Sequence, residues 1–413
     1  MINVAILGNG TVGNGVVELL NKNKEYIRSR TGRNIGISKI LVRDIEKHID
    51  KTDKFLLTND IKDIYEAEPD IVVEAIGGLH PAYDYIKYFL KEKKHVVTAN
   101  KEVIAKYGEE LSEIACINGV SLRFEASVAG GIPILKPIQE CLAGNNINYL
   151  AAILNGTTNF ILSKMYSEGI KYEDALRKAQ ELGFAEANPD SDVLGYDSAR
   201  KLAIISSITH DTKVNWKDIN TEGIEHIDEL DIKCARELGC NIKLVALSIK
   251  EGEDIYTAVK PVLVSESGVL GNIENEFNGI LLEGDAVGKV FFSGKGAGKL
   301  PTASAVIGDI FDVLENKRAN FKIKTDKKLG RINTWQWEAD WLVTFKGEYT
   351  EGIIPELKNK FIGVELLNTD EDSEHGISVL LKSESEDELE EALRLIQENN
   401  NIKSIKKFMK LKV

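Results

Sequence analysis

The chain has 413 residues, 43% hydrophobic and 28% charged, a balance that suits a soluble globular protein of two or three domains and excludes a disordered one. The formal net charge is −13 with the basic residues dispersed, which argues against nucleic acid as a partner, and no run approaches the ~18 apolar residues of a membrane span. Four cysteines (Cys116, Cys141, Cys234, Cys240) without a CxxC, and six histidines never at ligand spacing, point to a reducing cytoplasm and against a zinc site.

Met1–Gly10 lacks a charged leader and reads as a strand entering a fold. Residues 2–7 (INVAIL) are a buried-strand run, followed by Gly8-Asn9-Gly10-Thr11-Val12-Gly13 and a helix through about Lys24. A GxGxxG between a strand and a helix fits a dinucleotide loop. The first glycine permits the turn, the second lets the backbone approach a pyrophosphate, and the third allows close packing of the helix. The helix N-terminus would then offer its N–H groups to the phosphates.

The second strand spans residues 37–44 (ISKILVRD). A carboxylate at its end would bond the 2′-hydroxyl of NAD, whereas a cation accommodates the 2′-phosphate of NADP. Arg43 comes before Asp44, with Lys47 close behind, so NADP is favoured and NAD stays open. Residues 70–78 (DIVVEAIGG) form another strand and turn, with Pro81 at the start of the next helix. Strand 95–98 ends in Thr98-Ala99-Asn100-Lys101, helix 102–115 follows, and residues 120–126 add a strand. This alternation predicts an α/β fold with a parallel, doubly wound sheet. Lys101 opens its helix at the positive end of the dipole, which a nearby ligand anion or carbonyl would explain.

Around Glu125–Pro133 the sequence EASVAGGIP permits a tight turn with inward carbonyls. Strand 147–154 leads into Asn155-Gly156-Thr157-Thr158-Asn159, then helices over 160–168 and 171–182. Next comes Gly183–Lys201, an acid-rich loop with Glu186, Asp190 and Asp192, and a helix predicted from Asp192 through Val193, Leu194, Ile204, Ile205 and Ile208. Those apolar residues form one stripe at 100° per residue. Asp197 and Lys201, spaced i,i+4, fall in its middle. Charges there are costly unless paired or in use. The pair is either a buried structural ion pair or a lysine held by an aspartate at the edge of a substrate pocket.

Helix 231–238 precedes β patterns at 243–250, 255–264, 279–283 and 287–293. Together these predict a second, α+β domain with a mostly antiparallel sheet. Gly294–Gly298 then leads into a helix to about Asn316, expected to pack back on the first domain. Beyond residue 330 the order is strand 341–347, helix 353–360, strands 363–368 and 376–382, helix 386–398 and strand 402–411. That is the ferredoxin-like layout, with the acidic run 383–391 read as a solvated helix start.

Over about residues 1–318 these segments resemble homoserine dehydrogenase. The most specific part is Gly183–Leu202, with Gly-x-x-Glu, Pro-x-x-Asp and Gly-x-Asp-x-Ala-Arg-Lys-Leu; GNGTVG, TANK, EASVAGGIP, LNGTTNFIL and GKGAGKLPTA support it. The resemblance implies a Rossmann dinucleotide-binding domain (1–127, with helix 299–318 packed back on it), a substrate-binding and dimerisation domain (128–298), and an ACT-like C-terminal domain (330–413). It also implies reversible reduction of L-aspartate 4-semialdehyde to L-homoserine with NAD(P)H, in threonine, methionine and isoleucine biosynthesis, by a homodimer or homotetramer.

On the same resemblance Lys201 is the proton donor, Asp197 its partner, and Lys101 completes the catalytic set. Gly183, Glu186, Asp192 and Thr157 hold the substrate. Gly8, Asn9, Gly10, Thr11, Val12, Gly13, Arg43, Lys101 and Gly298 line the cofactor. Glu125, Val128, Gly130 and Ile132 form a monovalent-cation site, such as for sodium, largely from backbone carbonyls. The C-terminal segment has Tyr349-Thr350-Glu351-Gly352-Ile353-Ile354 where a Pro-Gly-Val-Leu turn is common in effector-binding ACT domains. A structural or oligomerising role there stands beside threonine inhibition.

Two other readings compete with this one. Aspartate-semialdehyde dehydrogenase uses the same metabolite but needs a cysteine nucleophile, and none of the four cysteines sits in a nucleophile turn. A non-catalytic NADP-binding amino-acid sensor would not need Glu186, Asp192, Asp197 and Lys201 together.

Overall fold

In the first 125 residues, short apolar runs alternating with amphipathic helices build a parallel sheet. Strands β1 (Ile2–Leu7), β2 (Ile35–Leu41), β3 (Leu57–Thr58), β4 (Ile71–Glu74), β5 (His95–Thr98) and β6 (Leu122–Arg123) stand in the order β3-β2-β1-β4-β5-β6. Every pair is parallel. Helices α1 (Thr11–Lys22), α2 (Lys24–Thr31), α3 (Ile61–Glu66), α4 (Ala82–Lys91) and α5 (Lys101–Asn118) lie between them in sequence. Strand order reverses between β1 and β4, and the carboxyl ends of strands at such a reversal are where parallel sheets bind ligands.

The computed structural model describes residues 1–49, 52–315, 329–347, 353–367, 376–400 and 402–412. They fall into two compact units. One comprises Met1–Asn146, Arg200–Asp218 and Gly294–Lys328, and the other Ile147–Ala199, Ile219–Ser293 and Leu329–Val413.

Boundaries in the first unit shift from expectation. β2 stops at Leu41, leaving Arg43 and Asp44 in the loop beyond it. The strand predicted over 120–126 shrinks to Leu122–Arg123, because Glu125–Ser127 turns into a short 3-10 helix.

A later helix, α11 (Lys299–Leu314), completes this unit. Its Ala303, Val306 and Ile310 share one apolar cluster with Val4, Ile6 and Val16. Gly15 makes the approach possible, since a Cβ there would lie 2.5 Å from the Lys299 carbonyl oxygen. The predicted continuation of this helix through residues 316–318 lies outside the described residues.

The second unit contains β7 (Ile147–Ile153), α6 (Gly156–Glu168), α7 (Tyr172–Glu181), α8 (Asp190–Val193) and the start of α9 (Tyr196–Thr209). It continues with β8 (Asn220–Thr221), α10 (Glu229–Glu237), β9 (Cys240–Glu251), β10 (Asp254–Ser265), β11 (Phe277–Gly284) and β12 (Gly288–Lys295), the last ending past the division. Its final segment is β13 (Gly330–Ile332), β14 (Ala339–Gly347), α12 (Ile353–Lys360), β15 (Ile362–Leu367), β16 (Ile377–Ser383), α13 (Glu386–Asn399) and β17 (Ile402–Leu411). The strands run β12-β11-β7-β9-β10-β17-β14-β16-β15, with β13 and β8 also on β10.

This sheet carries on where a division between residues 298 and 330 is expected. Val262, Leu263 and Val264 of β10 pair in parallel with Met409, Lys410 and Leu411 of β17. Within the final segment, β17-β14-β16-β15 are all antiparallel, in the βαββαβ order read from sequence. Tyr256, Val262 and Val264 share a core with Trp341, Phe345 and Met409. Lys260 on β10 meets Glu386 at 2.8 Å, and the same carboxylate accepts from Trp335 N and Lys407 Nζ, both at 3.0 Å. These shared apolar and paired polar groups join β14, β17 and α13 to the core of this unit. The turn Tyr349–Gly352 lies outside the described residues. Among the described residues no helix is long and apolar enough to cross a membrane.

Candidate active site

The glycine-rich loop turns sharply after β1. Gly8 has φ +99° and sits where a Cβ would come within 2.6 Å of the Ala75 carbonyl oxygen; a Cβ on Gly13 would come within 1.9 Å of the Gly8 carbonyl oxygen. Both positions therefore need glycine for packing. At Gly10 a Cβ would have nothing within 4 Å among the described residues, so this glycine leaves open space at the N-terminus of α1, where no described side chain forms a cap. The three glycines thus divide the work as the motif requires. Asn9 is buried, donating to Thr52 Oγ1 at 3.1 Å, while its Oδ1 has no hydrogen-bond partner among the described residues. Thr11 is exposed and Val12 half-buried. The open cradle, the uncapped helix end and the orphaned Asn9 oxygen fit a bound dinucleotide.

Other loops at the carboxyl ends of the strands carry the remaining cofactor candidates. Arg43 is exposed just past β2; Asp44 accepts from Glu46 N at 3.2 Å and pairs with Lys47 at 3.4 Å. Lys101 is half-buried at the first position of α5, directly after its cap. That cap, Asn100, accepts from Val103 N at 3.2 Å and donates to Gly78 O at 2.8 Å. Behind it lies Glu74, fully buried, accepting from Ile76 N at 2.8 Å and from the Thr98 hydroxyl. Burial pushes the Glu74 carboxyl above the usual range, with those hydrogen bonds opposing. Glu74 was not singled out from sequence; an acid ending an apolar strand was the available signal.

The turn Glu125–Ile132 belongs to the same unit. The Glu125 carboxylate accepts N–H bonds from Ile134, Leu135 and Lys136, so that side chain is spent inside the protein. Its own N–H donates to Asp309 at 2.9 Å. Ala129 and Gly130 both have positive φ, and a Cβ on Gly130 would lie 2.4 Å from the Gly296 carbonyl oxygen. The turn is thereby packed against the loop that ends at Gly298, an exposed residue with φ +119° capping α11. Among the described residues no cluster of three or more His, Cys, Asp or Glu could hold a metal. A cation on this turn would have to use main-chain oxygens.

The acidic stretch is built in the second unit. Where the spacing predicts one helix from Asp192, the chain makes α8 and α9, broken at Gly195 with φ +81°. A Cβ there would lie 3.0 Å from Thr221 Cγ2 and 3.2 Å from Val259 Cγ1, so the break lets the turn press on the sheet. Asp197 follows in the first turn of α9 and is 2% exposed. Lys201, which falls in the first unit, is half-buried one turn further along the same helix.

Asn155, at the end of β7, ties this stretch together. It donates to Asp192 Oδ1 at 2.7 Å and to Asp197 Oδ2 at 2.9 Å, and its Oδ1 caps α6 by accepting from Thr158 N at 2.8 Å. Thr157 donates to Phe184 O at 2.7 Å, which fixes the loop holding Gly183. That loop hangs from the end of α7 through the N–H groups of Phe184 and Ala185, both on Ala179 O. Glu186 is exposed, its backbone oxygen accepting from Gln180 Nε2 at 3.2 Å. Asp192 and Asp197 are thus linked through Asn155, with Thr157 two residues further on bonded to the Gly183 loop. Asn155, the hub, was not among the residues chosen from sequence, where it read only as a turn residue.

Family models describe the same two parts. One for the NAD-binding domain of homoserine dehydrogenase matches residues 8–125, and one for homoserine dehydrogenase matches residues 133–311. The homoserine dehydrogenase of Bacillus subtilis is 42% identical over 319 residues, covering 77% of this chain and 74% of its own. A crystal structure of a homoserine dehydrogenase from Thiobacillus denitrificans superposes with a TM-score of 0.91 at 33% identity, covering 100% of this chain and 98% of that one. A hyperthermophilic archaeal homoserine dehydrogenase solved in complex with NADPH gives 0.65 at 28% identity, covering 76% and 97%.

Proposed function

The chain belongs to the homoserine dehydrogenase family, and on that premise we propose how its residues carry out the reversible NAD(P)H-dependent reduction of L-aspartate 4-semialdehyde to L-homoserine. One observation carries the assignment: Asp197 is buried, held by Asn155, and set one helical turn before Lys201 within the family's most specific motif.

The bound dinucleotide supplies the hydride for the aldehyde carbon. Gly8, Asn9, Gly10, Thr11, Val12 and Gly13 hold its pyrophosphate, Arg43 its adenosine ribose phosphate, and Lys101 and Gly298 its nicotinamide half. NADP is the preferred form on the strength of Arg43. As negative charge develops on the carbonyl oxygen, the Lys201 ammonium stabilises it and delivers the proton, a contribution of roughly 10²–10⁴ in rate. Asp197 orients that ammonium. Glu186, exposed and acidic, takes the substrate's α-ammonium group, and Asp192, Thr157 and Gly183 complete the substrate contacts. Lys101 assists catalysis from the start of α5. The carbonyls of Glu125, Val128, Gly130 and Ile132 would hold a monovalent cation such as sodium, whose role would be to steady the turn that packs on the loop at Gly296.

We place the partition at 1–127 with 299–318, 128–298 and 330–413, the last ACT-like, and take the enzyme to act as a cytoplasmic homodimer or homotetramer. The experiment is direct: NADPH absorbance followed after addition of aspartate 4-semialdehyde. Oxidation with a kcat/KM favouring NADPH over NADH supports the reading, and no oxidation defeats it.

A further inference from the structure

The proposed mechanism needs two carboxylates in different roles, Asp192 on the substrate and Asp197 on Lys201. Like charges on neighbouring helices repel, and the backbone bonds of the turn through Gly195 do not fix where the two carboxylates point. We infer that Asn155 is the positioning residue of this enzyme, a single amide that holds both acids in register. This rests on the roles given above to Asp192, Asp197 and Lys201.

The geometry leaves the amide no freedom. Asn155 is 4% exposed, and its Oδ1 must face the helix because it accepts from Thr158 N. That fixes which end of the amide is the NH₂ group, so its two hydrogens go to Asp192 at 2.7 Å and Asp197 at 2.9 Å. Its main-chain oxygen is also engaged, accepting from Asn159 N at 3.2 Å and Thr158 Oγ1 at 3.2 Å. The residue is clamped from behind as well: a Cβ on the following Gly156 would lie 2.7 Å from Glu276 O. Two hydrogen bonds to charged acceptors from one rigid group are worth more than neutral ones. They also make the two acids move together.

No other residue type can do both tasks. Serine would keep the cap, since its hydroxyl accepts the same N–H, but it has one hydrogen to give. Glycine caps almost as well and gives none. Aspartate would cap but place a third carboxylate against the other two.

Asn155→Ser and Asn155→Gly therefore separate positioning from folding. Each is expected to fold, with a melting temperature lowered by the lost buried hydrogen bonds, and to keep the Kd for NADPH within about twofold. Each should raise the homoserine KM about tenfold and lower kcat about tenfold, as loss of charge-assisted bonds from both acids implies. A purely structural role would lower melting temperature and active fraction while leaving the homoserine KM unchanged. That result in a folded variant, or wild-type KM and kcat in either one, overturns the inference. If one variant fails to fold, the other decides. Lys201→Ala measured alongside keeps the two levels apart. Normal turnover in Lys201→Ala would sink the parent mechanism, whereas its loss together with normal Asn155→Ser kinetics would sink only the positioning role.

Discussion

Two glycines of the cofactor loop, three residues apart, should respond to the same substitution in opposite ways. In Gly13→Ala the new methyl would lie 1.9 Å from the Gly8 carbonyl oxygen, so helix and loop must part by about 1.5 Å to reach the 3.4 Å of ordinary contact. Gly8 has no room to retreat, because it already presses on the Ala75 carbonyl. Alanine improves helix propensity by up to ~1 kcal/mol, but overpacking against backbone costs about 1–3 kcal/mol, and the clash wins. In Gly10→Ala nothing lies within 4 Å of the new methyl; the cost is the loss of a glycine cap, at most about 1 kcal/mol. The methyl instead fills the space kept for the dinucleotide.

Thermal unfolding without cofactor should therefore show Gly13→Ala clearly destabilised and Gly10→Ala nearly unchanged. Titration with NADPH should show Gly10→Ala weakened about tenfold or more. Wild-type NADPH affinity in Gly10→Ala would refute the placement of the pyrophosphate on this loop, and wild-type stability in Gly13→Ala would refute the packing argument.

Other expectations follow from the same reasoning. Arg43→Ala should raise the KM for NADPH about tenfold and leave that for NADH within twofold; parallel changes would remove Arg43 from the 2′-phosphate. Burial raises the pKa of Glu386, but Lys260, Lys407 and the Trp335 N–H outweigh it and hold the carboxyl down to about 2. A carboxylate depressed in the folded state stabilises above its unfolded value, so about 3 kcal/mol should be lost as pH falls from about 4.5 toward 2. Urea unfolding across that range should show the limb, and Glu386→Gln should flatten it. Lys260→Ala should cost about 3 kcal/mol by leaving that buried acid short of a partner, read from the denaturant midpoint at neutral pH.

The dinucleotide fold was legible because its signals are local. A buried run, three glycines at fixed spacing and a helix are enough to place the loop after β1, and the alternation of strand and helix pointed to the parallel sheet. Gly183–Lys201 stood out in the sequence because Asp197 and Lys201 interrupt an apolar stripe. What sequence missed depends on distant partners. The break at Gly195 arises from Thr221 and Val259 on the sheet, and Asn155 matters only because Asp192 and Asp197 fold back onto it. The shared sheet of the second unit rests on β10 pairing with β17, about 150 residues away, which no periodicity reports. Glu125 has the opposite lesson: its position in a tight turn was clear, but its carboxylate serves three backbone N–H groups.

The central claim is that Lys201 gives the proton. Purified Lys201→Ala should fold and bind NADPH with wild-type affinity by fluorescence titration, yet lose at least 10² in kcat for aspartate 4-semialdehyde reduction. Near-normal turnover in that variant would contradict the account.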